Sequence, residues 1–212
     1  MPKSTVTPPP VSEPEKQQLR QDFAKAYDQV AHPRFLAMEA IGGEVPFYVF
    51  TYPPAGELIA RQEIKALAGR MLEKGKPTCT IDLFALCHEL LAARVDLDDL
   101  AELEAEGDRE EFLETLQSLL DLETTLVPAI KDRVADAPNG RPQVVFLHGV
   151  GQVFPFLRTH SLLHNLQAHL TDLPTVLFFP GTYTGTSLEL FSRLKNDNYY
   201  RAFHLNNLNL TQ

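Results

Sequence analysis

Short apolar runs alternate with amphipathic helical stretches along most of this chain, and that alternation constrains the fold more than any other feature. The run Val144-Val145-Phe146-Leu147-His148 ends in Gly149-Val150-Gly151, which is where an open α/β sheet places a ligand loop at the carboxyl end of a strand. Upstream, Glu15 to Val30 reads as an amphipathic helix that stops near His32-Pro33. Val45 to Tyr52 is a strand, Glu57 to Glu73 a helix capped by Gly75, Thr78 to Leu83 a strand and Phe84 to Arg94 a helix. A helix near Pro128 to Ala135 leads through the turn Pro138-Asn139-Gly140 into the strand Gln143 to His148. Thr159 is placed to cap a helix running to Leu170, and Thr175 to Phe179 is a fourth strand closed by Pro180-Gly181. Thr186 and Glu189 have the spacing of a capping box that would open a helix from Ser187 to Leu194, and Tyr199 to Leu205 reads as a fifth strand. The pattern implies one α/β domain over residues 15–212, Rossmann-like or P-loop-like, in three layers around a mostly parallel five-stranded sheet.

Residues 1–14 are proline-rich and polar with no apolar core, so they read as a disordered tail and not as a secretory signal. With no run of about 20 apolar residues, a cytoplasmic protein with no membrane partner is expected. The net charge of −9 is local. From Asp96 to Glu123 twelve acidic residues stand against Arg109 alone, a sum of −11, so the rest of the chain carries −9 − (−11) = +2. That acidity belongs to a helical insertion, residues 96–136, in which Asp108 and Glu111 resemble a capping box and Phe112, Leu113, Leu116, Leu119 and Leu120 form a stripe. Acid residues on the far side of such a stripe are a solvated face. Cys79 and Cys87 have no second pair to complete a zinc site and are expected to be buried free thiols.

The loop motifs fall short of known chemistry. A P-loop needs Gly-x-x-x-x-Gly-Lys-Ser/Thr, and counted from Gly149 the second glycine position is Phe154 and the lysine position Pro155. The dinucleotide fingerprint fails at Phe154 as well. His160 and His164 have the spacing of a zinc pair, but the residue after the first is Ser161 where a zincin has its glutamate base. No Gly-x-Ser-x-Gly elbow is present, and His148 at a strand end reads as a hydrogen-bonded structural histidine. No catalytic residue, cofactor-binding residue or metal ligand is therefore expected, and the chain is read as not an enzyme. Arg193, Lys195, Asn198, Tyr199 and Arg201 combine cations, an amide and an aromatic ring, a mixture that suits phosphate contact with base stacking or an anchor on a protein partner. Arg158 and Tyr183 join them as candidate interaction residues.

Four stretches, 45–67, 146–167, 177–185 and 190–205, resemble the BrxB proteins of BREX (bacteriophage exclusion) phage-defence systems. They include VPFYVFTYPP, FLHGVGQVFPFLRTHSLLHNLQ, LFFPGTYTG and LFSRLKNDNYYRAFHL. The likeness runs from about Arg34 to the C-terminus. It implies a small cytoplasmic, non-catalytic component of a system that blocks phage replication and marks host DNA by adenine methylation. The partner it implies is the alkaline-phosphatase-like PglZ, with other BREX components possible beside it and DNA contact left open. An adaptor holding PglZ is the leading expectation. A nucleic-acid-binding module using Arg193, Lys195, Arg201 and one tyrosine is the alternative, and a degenerate nucleotide-binding protein is a third.

Overall fold

A computed structural model describes residues 11–39, 46–185, 187–192, 194–195, 202–208 and 210. Eight helices and seven strands occur among them: α1 Glu13–Val30, α2 Pro33–Leu36, β1 Phe47–Tyr52, α3 Glu57–Glu73, β2 Thr78–Asp82, α4 Leu83–Ala92, α5 Leu97–Glu106, α6 Arg109–Leu119, α7 Val127–Ala135, β3 Val144–His148, α8 Thr159–Gln167, β4 Thr175–Tyr183, β5 Leu188–Leu190, β6 Leu194–Lys195 and β7 Phe203–His204. Five strands lie in the order β2-β3-β4-β1-β7, every neighbour parallel, as the alternation of strands and helices requires.

Both faces of this sheet are covered, so its strands are apolar at nearly every position. Strand parity sorts the core into two halves. Phe47, Val49, Val145, Leu147, Leu177 and Phe179 face α4, α7 and α8, where Leu86, Ile130, Leu162 and Leu166 are buried. Tyr48, Phe50, Val144, Phe146, Val176 and Phe178 face α1 and α3, which bury Phe23, Val30, Ile64 and Met71. Helix α1 opens on a reciprocal cap, with the Ser12 and Glu15 side chains each bonding the other's backbone, and α3 closes at Gly75, whose φ is 70°. The tail expected over 1–14 thus gives way to helix at Glu13, and residues 1–10 lie outside the described residues.

The acidic stretch is helical as expected. Helix α5 buries none of its residues, and α6 turns Leu116 inward, which leaves the carboxylates on the solvent side. Helix α7, by contrast, packs Val127 and Ile130 into the core.

Three expectations need correction. Helix α8 begins with Thr159 and ends at Gln167; Arg158 occupies the cap position, with no side-chain capping bond. Strand β4 does not close at Pro180-Gly181 but runs on to Tyr183, because beyond the end of β3 its free edge pairs with β5. No helix runs from Ser187 to Leu194: Leu188 and Leu190 are buried on either side of a half-buried Glu189, a period of two, and β5 pairs antiparallel with Gly181–Tyr183. The intended cap Thr186 lies outside the described residues, and Gly185, at φ 92°, helps form the turn between β4 and β5. Strand β6 then pairs with β5. The fifth parallel strand is confined to Phe203–His204 among the described residues; 199–201 lie outside them. No described helix is long and apolar enough to cross a membrane.

Candidate functional site at the carboxyl edge of the sheet

A parallel sheet aims the carboxyl ends of all its strands, and the amino ends of the helices that follow, at one crest. The helix after β1 packs on one face of the sheet and the helix after β3 on the other, so the crest between these strands is where ligands of open α/β sheets bind. Four elements deliver polar groups there. Tyr52 ends β1, Glu57 and Arg61 sit on the first turns of α3, Asp82 ends β2, and His148 ends β3 and is followed by the loop carrying Gly149, Gly151 and Gln152.

These groups close on one another. The Tyr52 hydroxyl donates to Glu57 Oε2 at 2.6 Å, and Arg61 Nε donates to Glu57 Oε1 at 3.2 Å. The Arg61 guanidinium also reaches Asp82 Oδ2 at 3.3 Å and bonds the side-chain oxygen of Gln152. Asp82 caps α4, its Oδ1 accepting from the backbone of Phe84 at 3.0 Å and Ala85 at 3.3 Å. Gly149 makes the close approach possible: its φ is 85°, and a Cβ there would lie 2.8 Å from Asp82 Oδ1. Arg61 therefore neutralises two carboxylates, each standing at the amino end of a helix where an anionic ligand would otherwise be welcome.

The order of the strands also moves the place to look for a phosphate loop. The strand–turn–helix unit at the crest is β1, Pro53 to Gly56, then α3, and the helix-opening position where a P-loop carries lysine is Glu57, followed by Leu58. An acid in that position repels phosphate, a signal missed when only Gly149 is tested. Beside it, the ring of Phe191 from the β5–β6 turn lies against Gly151, where a Cβ would be 2.9 Å from it.

Tyr52 is buried, and His148 is the partly buried imidazole of the set. Its Nδ1 is 3.8 Å from Asp82 Oδ2, too long for a hydrogen bond, and has no hydrogen-bond partner among the described residues. Burial holds the imidazole below its ordinary value; Asp82 acts the other way, and Arg61 adds to the lowering. Between that lowered value and an ordinary one of about 6.5, the unfolded chain binds more protons than the folded one, so stability rises with pH there and is lost as pH falls below about 6.5. The urea midpoint should fall between pH 7 and pH 5.5, and His148→Asn should flatten that fall. His160 and His204 are lowered in the same direction and stay in the variant, so the difference reports His148. Superimposable pH profiles for the two proteins would disprove the assignment.

The residues singled out from sequence are dispersed. Arg158 is exposed at the start of α8, bordering a cavity of about 370 Å³ that Asp121 and Glu123 also line. Tyr183 is buried, its hydroxyl bonding the carbonyls of Ala202 at 2.6 Å and Gly185 at 2.9 Å, which ties the end of β4 to the entry of β7. Lys195 stands opposite Glu189 in the β5–β6 ladder. Arg193, Asn198, Tyr199 and Arg201 lie outside the described residues. Both cysteines are free and buried, and burial with the nearby Asp82 pushes the Cys87 thiol up to about 12. Among the described residues no three His, Cys, Asp or Glu side chains are placed to share a metal ion.

Fold and crest together define a three-layer α/β domain whose ligand position is filled by its own ion pairs. The sequence profile described as BREX protein BrxB matches residues 79–205. A BREX protein BrxB of Bacillus cereus (strain H3081.97) is 35% identical over 181 residues, covering 84% of this chain and 92% of the relative. A BREX protein BrxB of Escherichia coli O9:H4 (strain HS) is 29% identical over 188 residues, covering 88% and 91%. The chain belongs to the BrxB family, components of BREX phage-defence systems. Among solved structures, a chain in the structure of Drosophila ORC bound to poly(dA/dT) DNA and Cdc6 is 19% identical and matches 84% of this chain and 31% of its own length. Its TM-score of 0.29 is too low to carry an argument.

Proposed function

We propose that this protein is a non-catalytic adaptor of its BREX system and that the crest of the sheet is the face that holds a partner protein, PglZ first among the candidates. The observation that carries the reading is the placing of exposed apolar side chains. Of the six large hydrophobic residues exposed among the described residues, Leu58 and Phe84 at helix starts, Phe154 in the loop after β3, and Phe191 and Leu194 on the β5–β6 hairpin stand beyond the carboxyl ends of the parallel strands, each between 37% and 76% exposed. Leu58 follows Glu57, and Phe84 and Phe191 lie against Gly149 and Gly151 of the loop that carries Gln152. Aromatic anchors beside a guanidinium, with apolar neighbours to exclude water, have the composition of a protein-binding hot spot. A nucleotide, by contrast, would meet Glu57 and Asp82 where its phosphates need donors.

The test is titration calorimetry of the full-length chain with purified PglZ, in parallel with the double variant Phe84→Ser, Phe154→Ser. Micromolar or tighter binding is expected, weakened about 100-fold or more in the variant. Each ring is more than a third exposed, so the variant should stay folded, its melting temperature lower by about 10 °C at most. Absence of binding across a range of salt would end the adaptor reading for PglZ. Undiminished binding by the variant would remove the crest as the contact face.

A further inference from the structure

A second surface adjoins the crest at Asp82 and lies at the open side of the sheet. Strand β2 ends the order β2-β3-β4-β1-β7, and its outer edge is paired by no other strand among the described residues. Natural edges of this kind are blunted by proline, by a bulge or by charged residues along the strand. Thr78-Cys79-Thr80-Ile81 has none of these, the one charge of β2 being Asp82 at its carboxyl end, where Arg61 pairs with it, and Thr80 is exposed. The edge is also recessed, forming the floor of a groove of about 660 Å³. Ala68, Gly69 and Leu72 of α3 make one wall, and Ala85, Leu86 and the Asp136 corner after α7 make the other.

We infer that this groove docks an extended segment of a partner polypeptide, which adds to the sheet as a strand beside β2. A row of free backbone donors and acceptors is satisfied only by another extended backbone. Five residues, Thr78–Asp82, give a ladder of about 17 Å. Ala68, Gly69 and Leu72 on one wall and Ala85 and Leu86 on the other call for apolar or β-branched side chains on the incoming strand, while Lys65, Glu89 and Arg133, which also line the groove, accept polar or charged ones beside them. The recess also selects the kind of occupant. A second copy of this chain would have to bring its own β2 edge in, flanked by its own α3 and α4, and those walls would meet the first pair before the edges paired. A lone strand without flanking helices fits between them.

The probe is an acetylated, amidated octapeptide of alternating valine and threonine with a lysine at each end, added at millimolar concentration to the full-length protein. Amide hydrogen exchange over Thr78–Asp82 should slow at least tenfold. The same peptide N-methylated at alternate residues, so that it cannot complete a ladder, should have no effect. Gly69→Trp should abolish the protection, since a Cβ at Gly69 meets nothing within 4 Å and the indole would project into the groove. Replacing a helical glycine should leave the melting temperature equal or higher, so loss of folding is not a confounder. The crest variant Phe84→Ser, Phe154→Ser should bind the peptide normally, so this inference and the crest reading fail separately. No slowing, slowing by the methylated peptide, or slowing that persists in Gly69→Trp would each overturn the inference. So would protection without peptide that grows with protein concentration, which would identify a second copy as the occupant.

Discussion

Phe178→Ala should lower the unfolding free energy by about 4 kcal/mol, within the range of about 3–5 kcal/mol for emptying an aromatic site in a core. Phe178 lies in the central strand β4 and is fully buried, its ring 5.7 Å from Phe23 in a stacked pair, 5.6 Å from Phe50 and 5.5 Å from Phe146, the last edge to face. Those neighbours come from α1, β1 and β3, so no single element can move to fill the hole. The loss is both the transfer energy of the ring and the cavity left behind, with the aromatic pair energies added. For a domain of this size the melting temperature should drop by roughly 8–16 °C. Phe191→Ala is the control: that ring is 37% exposed, so its loss should cost about 1–2 kcal/mol, well below that of Phe178. A loss below about 1 kcal/mol for Phe178→Ala would mean that the two halves of the core are not packed as described.

The same strands show why so much of the fold is legible in the sequence. Val144 to His148 and Thr175 to Phe179 are apolar at nearly every position, which only a sheet covered on both faces requires, and the helices between them carry one apolar stripe each. Those are local patterns. What escaped was decided by contacts distant in the chain. Leu188-Glu189-Leu190 is too short to establish a period of two, and the nearby Thr186 and Glu189 imitate a helix start; pairing with Gly181–Tyr183 settles the matter. The crest was half visible. His148 and Gly149 stand out at a strand end, whereas Glu57 and Arg61 look like ordinary solvent-facing helix residues. Only the order of the strands brings them to Asp82 and Gln152, and only that order identifies the turn after β1 as the place where a phosphate loop would be. The β2 groove had no sequence signal, because a strand's position at the edge of a sheet is a property of the pairing and not of its residues.

Gly181→Val should detach the β5–β6 hairpin while leaving the parallel sheet folded. Gly181 faces Leu190 in the β4–β5 ladder, and a Cβ there would lie 2.1 Å from the Glu189 carbonyl oxygen and 2.9 Å from the Phe179 ring. The obstacle is backbone, so no rotamer change relieves it, and overpacking of this kind without relaxation exceeds the usual cost of about 1–3 kcal/mol. Releasing the hairpin is the alternative, which exposes Leu188 and Leu190, both buried, at roughly 1.5–3 kcal/mol each. The smaller of the two costs sets the outcome, and either amounts to about 3 kcal/mol or more. Exchange of the amides at 188–192 should rise at least 100-fold, a factor that corresponds to about 2.7 kcal/mol of local opening, while amides of β1 and β3 keep their protection. Since Phe191 and Leu194 ride on this hairpin, the proposed contact of the crest with PglZ predicts weaker binding in the same variant even though its core is intact. Uniform loss of protection across the whole sheet would show the hairpin to be inseparable from the domain. Unchanged exchange at 188–192 would contradict the close approach of Gly181 to Glu189.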